Sequence, residues 1–127
     1  MDQRELSRLT AGLKRQRDRI DDLKPLNSES PDYEAWRTKT MELVRRANIP
    51  QFIEDSNALL YPRGGFLLLG ETRQERLARE RPYYLEKLER ARALLTSLIE
   101  TLEELGPTPF GVVITAGWIL PVFSDRR

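Results

Sequence analysis

The chain has 127 residues, with 21 Lys and Arg against 20 Asp and Glu and a formal net charge of +1. It has no cysteine and no histidine, which excludes a disulfide, a zinc–thiolate centre, a cysteine nucleophile, a Ser–His–Asp triad and an imidazole proton shuttle. That length gives one domain with a single core, and 32% charged against 39% hydrophobic residues is a globular composition rather than a disordered one.

The N-terminus is charged from Asp2 onward, so no cleavable signal peptide is expected and the default location is the cytoplasm. Residues 2–24 read as a helix. Leu6, Leu9, Leu13, Gln16, Ile20 and Leu23 recur at alternating spacings of three and four, a heptad seam with one polar interruption. Such a narrow seam suits one or two partner helices, from the same chain or from a second copy. Pro25 ends the helix near Lys24, because a residue before proline is pushed out of the α region.

Ser30-Pro31-Asp32 is a helix start: a capping hydroxyl, proline at the first helical position and an acid in the first turn. The helix over 31–47 carries Tyr33, Trp36, Thr40, Leu43 and Ala47 on one face, with Met41 and Val44 beside it. Arg37, Lys39, Arg45 and Arg46 fall mostly off that face. Asn48-Ile49-Pro50 restarts the chain, and a short helix over 51–57 would bury Phe52 and Ile53. Gly64-Gly65 is a turn, flanked either by a short strand pair or by a buried irregular loop.

Thr72-Arg73-Gln74-Glu75 is a capping box, and the helical pattern behind it runs to Leu105 before Gly106-Pro107 stops it. Leu77, Tyr84, Leu88, Ala91, Leu95, Leu98, Leu102 and Leu105 form its seam, widened by Leu85, Leu94 and Ile99. Pro82 predicts a kink or a break near 78–81. Charge along this helix is inverted: Arg73, Arg76, Arg79 and Arg81 come early and Glu100, Glu103 and Glu104 late, opposite to what the macrodipole favours. Either an exposed helix tolerates the cost, offset by Glu75–Arg79 and Glu86–Arg90 pairs, or the helix presents a basic and an acidic end to a partner.

No spacing in the chain points to a catalytic residue, a cofactor or a metal. Glu100, Glu103 and Glu104, like Asp21 and Asp22, read as solvated faces. Gly64-Gly65 lacks the phosphate-loop spacing and its Lys-Ser/Thr. Stripes built from Arg15, Arg17 and Arg19, or from Arg37, Arg45 and Arg46, with Trp36, Tyr83 and Tyr84 for stacking, could meet a nucleic acid, but the balanced charge argues against a domain-wide positive field. Residues 110–123 are too apolar for a free tail. They fold back on the bundle, dock into a neighbouring subunit, or sit at a membrane interface.

The stretch between Tyr33 and Leu105 also carries a resemblance. Its residues are Tyr33-Glu34-Ala35-Trp36, Leu43, a turn with Phe52, then Tyr84-Leu85, Leu88, Ala91-Arg92, Leu94-Leu95 and Leu98-Ile99-Glu100. This resembles the helical modules at the N-terminus of bacterial and archaeal proteins of predicted antiviral defence, which often carry a TIR-like or other nucleotide-binding effector domain after the module. The sequence departs from that pattern in having Asn48-Ile49-Pro50 where the family would have a Gly-Glu-Asp type of turn, and no stretch long enough for an effector follows Pro107. The resemblance implies a scaffold or sensor part and carries over no catalytic residue.

These readings predict an all-α domain over residues 1–107, a three-helix bundle or helical hairpin with one long C-terminal helix, built from 5–23, 32–47 and 72–105. A short apolar tail over 108–127, extended or β, would pack on it or on a partner. The expected function is a non-enzymatic interaction or oligomerisation module, with a protein partner or a second copy. The candidate interface is Leu6, Leu9, Leu13, Gln16 and Ile20 together with Trp118, Ile119, Leu120 and Phe123. The alternatives are a membrane-associated protein inserting 110–123, and then a nucleic-acid binder.

Overall fold

In the computed structural model, residues 2–63 and 68–105 are described, and every regular element among them is an α-helix. In chain order these are α1 (Gln3–Asp18), α2 (Ile20–Leu23), α3 (Pro31–Ala47), α4 (Pro50–Leu60) and α5 (Arg73–Leu105). The all-α expectation holds. Helix α4 is the short helix expected around 51–57, longer at both ends, and it adds a fourth member to the three principal helices. The Gly64-Gly65 turn, the Gly106-Pro107 stop and the tail lie outside the described residues.

Local chemistry explains most boundaries. Asp2 caps α1 in a capping box with Glu5, each side chain accepting from the other's backbone N–H. The first helix is interrupted at Arg19 and resumes as α2, which ends two residues before Pro25. Asn48 closes α3 in the left-handed region at φ 58°, a conformation asparagine tolerates, and Pro50 then opens α4 at its first turn. Ser30 occupies the N-cap position of α3, but its hydroxyl makes no capping bond. The Thr72 box on α5 forms as expected: Glu75 N–H donates to Thr72 Oγ1 at 3.1 Å and Thr72 N–H to Glu75 Oε1 at 2.9 Å.

Helix α5 runs through Pro82 without a break, for 33 residues. Proline removes the bond to the carbonyl of Ala78, yet Ala78 and Pro82 are both exposed, so water can serve that carbonyl.

Neighbouring helices form a ring: α1 packs on α3, α3 on α4, α4 on α5, and α5 on α1 and α2. Contacts such as Gly12 with Leu43, Arg37 with Leu60 and Lys14 with Glu103 set the neighbours in opposite directions. The ring encloses Leu13, Ile20, Tyr33, Trp36, Val44, Leu60, Leu88 and Leu98, each 1% exposed or less. Every such side chain contributes about 1.5–3 kcal/mol when taken from water, which is what makes the ring close. Phe52 and Ile53 of α4 pack against this core from its margin.

Candidate functional site

The first predicted interface is used inside the chain. Leu6, Leu9, Leu13, Gln16 and Ile20 are all buried, the most accessible being Leu6 at 9%. They face α3 and α5, because the heptad seam finds both of its partner helices within the same chain. This face is therefore closed to a second copy of the folded chain. Trp118, Ile119, Leu120 and Phe123 lie outside the described residues.

The early arginines of α5 are likewise engaged within the chain, which corrects the picture of a basic end held out to a partner. Glu29, in the loop before α3, receives Arg73 at 2.7 Å and also Arg76. Arg79 forks onto Glu71, with Nε donating at 2.7 Å and Nη2 at 2.9 Å. These guanidinium groups hold the carboxyls of Glu29 and Glu71 below the ordinary 4.5. Arg81 donates to the carbonyl of Leu26 at 2.5 Å and to that of Lys24, while Tyr84 Oη donates to the carbonyl of Leu23 at 2.6 Å. Two side chains of α5 thus donate to carbonyls where α2 ends, Arg81 to those of Lys24 and Leu26, and Tyr84 to that of Leu23, which also accepts from the Leu26 N–H. The inverted charge order follows: arginines sit where loops and carbonyls need donors, and the local pairs outweigh the macrodipole.

A different group of charges has no such partners. Arg37 on α3 donates through Nη1 to the carbonyl of Leu60 at 3.3 Å, and its guanidinium carbon lies 4.4 Å from the Tyr61 ring centre and 5.6 Å from that of Tyr33. Lys87 on α5 brings its ammonium to 5.6 Å from the same Tyr33 ring. Tyr33 is fully buried, stacked on Trp36 at 5.9 Å and edge-on to Tyr84 at 5.3 Å. Its hydroxyl and the Nε of Arg37 are buried and make no hydrogen bond. Neither Arg37 nor Lys87 forms an ion pair among the described residues. Burial, with Arg37 nearby, pushes the Lys87 ammonium below its usual range, and Glu80 opposes this. Burial also pushes the Tyr33 phenol up to about 12. The sequence signal for this group is that Arg37 stands one turn after Tyr33, on the flank of the core face rather than off it.

Exposed apolar side chains gather near the same end. Tyr61, Leu68, Leu69 and Tyr83 are all exposed, Tyr83 at 68%. Leu68 accepts from the backbone of Glu71, Glu71 holds Arg79, and Tyr83 and Lys87 follow at one-turn intervals on α5. Among the described residues no group of three acids could hold a metal ion, and no helix is long and apolar enough to cross a membrane. Compared with known protein families, curated proteins and solved structures, the chain matches none.

Proposed function

We propose that this chain is a non-enzymatic protein-interaction module, acting as the scaffold or sensor part of a prokaryotic defence system, and that it self-associates or couples to a separate effector. The observation that carries the reading is the exposure of Tyr61, Leu68, Leu69 and Tyr83. Among the described residues the helical seams are covered by one another except at Leu105, so the exposed Tyr61, Leu68, Leu69 and Tyr83 are surface that a partner would cover. Aromatics beside an arginine are the residues enriched at interface centres. The placement in defence rests on the resemblance between Tyr33 and Leu105.

Light scattering of the full chain over a range of concentrations tests the self-associating form. A dimer or larger species that dissociates in the Leu69→Ser, Tyr83→Ser double variant supports that surface. One that persists in this variant but dissociates when residues 108–127 are removed moves the interface to the tail. A monomer at every concentration eliminates self-association.

A further inference from the structure

We propose that Arg37, Lys87 and the Tyr33 hydroxyl form a binding site for one oxyanion, a carboxylate or phosphate group. The site does not rest on the interaction reading, since it needs no second copy, although Tyr61 belongs to both.

Arg37 and Lys87 flank the Tyr33 ring, and among the described residues neither meets a carboxylate. Arg37 has committed only Nη1, to the carbonyl of Leu60 at the end of α4, and that bond fixes the plane of the guanidinium. Its opposite edge, Nε with Nη2, is the fork that takes a carboxylate or phosphate with two parallel bonds. Nε is buried without a partner, and so is the Tyr33 hydroxyl. Each is a group whose desolvation nothing in the described chain offsets. Lys87 supplies a second positive charge on the far helix, half-buried and with no carboxylate of its own.

Elsewhere in this protein such groups are matched. Glu29 answers Arg73 and Arg76, Glu71 answers Arg79, and Asp21 and Glu89 answer Arg92 and Lys24. Glu80 is the one acid acting on Lys87, and it lies within 3.5 Å of Arg76 instead. The Tyr33 cluster is thus a place where two half-buried cations each lie 5.6 Å from the centre of one ring, whose hydroxyl, like the Nε of Arg37, is buried and unused among the described residues. An oxyanion there would neutralise both cations and occupy the donors together. Tyr61, itself exposed, lies against the guanidinium at 4.4 Å.

The test is an NMR titration of the full chain at neutral pH with sodium phosphate, sodium acetate and a short glutamate-rich peptide, each against sodium chloride at matched ionic strength. Lys87 is followed through its side-chain signals. Saturable shifts with phosphate or acetate identify a free small anion as the occupant; saturation with the peptide alone identifies a carboxylate carried by a partner. Both support the site, provided Arg37→Gln and Lys87→Gln, each giving a dispersed spectrum, weaken the interaction by about tenfold or more. Shifts that only track chloride for all three probes, or saturation unchanged in both variants, overturn it.

Discussion

Gln16 and Trp36 each bond the other's backbone. The indole Nε1 of Trp36 donates to the carbonyl of Gln16 at 2.9 Å, and the amide Nε2 of Gln16 donates to the carbonyl of Trp36 at 3.1 Å. The same amide also donates to Thr40 Oγ1 at 2.9 Å. Gln16 lies in the last turn of α1, where carbonyls lose their helical acceptor role, so the indole serves a group the helix has released. The polar interruption of the seam is therefore a clasp that fixes how α1 sits on α3. Trp36→Phe is expected to cost about 2–4 kcal/mol, combining a smaller ring with a buried carbonyl left bare. Gln16→Leu keeps the indole bond and should cost under about 1.5 kcal/mol. Urea denaturation followed by circular dichroism ranks the two; equal losses would show that the amide matters as much as the indole.

Gly12 lets α1 sit against Leu43 of α3. A Cβ there would meet Leu43 Cδ1 at 3.2 Å, a contact that a shift of the flexible leucine relieves. Alanine gains about 0.5–1 kcal/mol of helix propensity over glycine, so Gly12→Ala should leave stability within about 0.5 kcal/mol of the parent. Gly12→Leu, which overfills the same contact, should lose about 1–3 kcal/mol. Thermal melts of both variants check the pair.

Arg81 and Tyr84 tie α5 to the end of α2. Arg81→Met retains the aliphatic stem but abandons two carbonyls, and should destabilise by about 1.5–3 kcal/mol. Tyr84→Phe loses one bond, the one to the Leu23 carbonyl, and should cost about 1–2 kcal/mol. Both partners lie on α5, three residues apart, so the double variant measures their coupling against the sum of the singles.

Acid should loosen the same region. Glu29, Glu71 and Glu89 are held below the ordinary 4.5 by hydrogen bonds from Arg76 and Arg73, from Arg79, and from Lys24 and Arg92 respectively. A carboxyl whose folded value is depressed contributes stability present above its unfolded value and lost as pH falls through the folded one. The fall is therefore expected below pH 4.5, with little change between there and neutrality. In the Glu29→Gln, Glu71→Gln double variant the drop between neutral and acidic urea midpoints should shrink, while the neutral midpoint moves down toward the acidic one. An unchanged drop would show that other carboxylates carry the acid response.

The regular features of the fold were legible in the chain, because periodicity and caps are local. The seams of α1 and α5, the aromatic face of α3 and the Thr72–Glu75 box all follow from residues within a few turns of each other. The arginine partners were not, because Glu29 stands 44 and 47 residues from Arg73 and Arg76, and no local rule links them. The helix does not break at Pro82 for a related reason: a break there depends on whether the Ala78 carbonyl is covered, which only packing decides. Of the site residues, Tyr33 was visible as an apolar-face aromatic. Arg37 was assigned to the exposed side, although an arginine one turn from a buried tyrosine can lie along the ring. Lys87 carried no local signal at all.

The ring of helices closes with its longest member, which is also the last to be synthesised. When α1, α3 and α4 have been made, Leu13, Ile20 and Trp36 can already meet, but the wall that α5 will cover is still open. Residues 84–102 supply that cover, and the earlier turns of the same helix bring Arg73, Arg76 and Arg81 as donors for the loop before α3. On the ribosome the nascent bundle must therefore hold an unfinished apolar flank until a single long helix emerges. Its assembly is gated by the arrival of one segment rather than built up helix by helix.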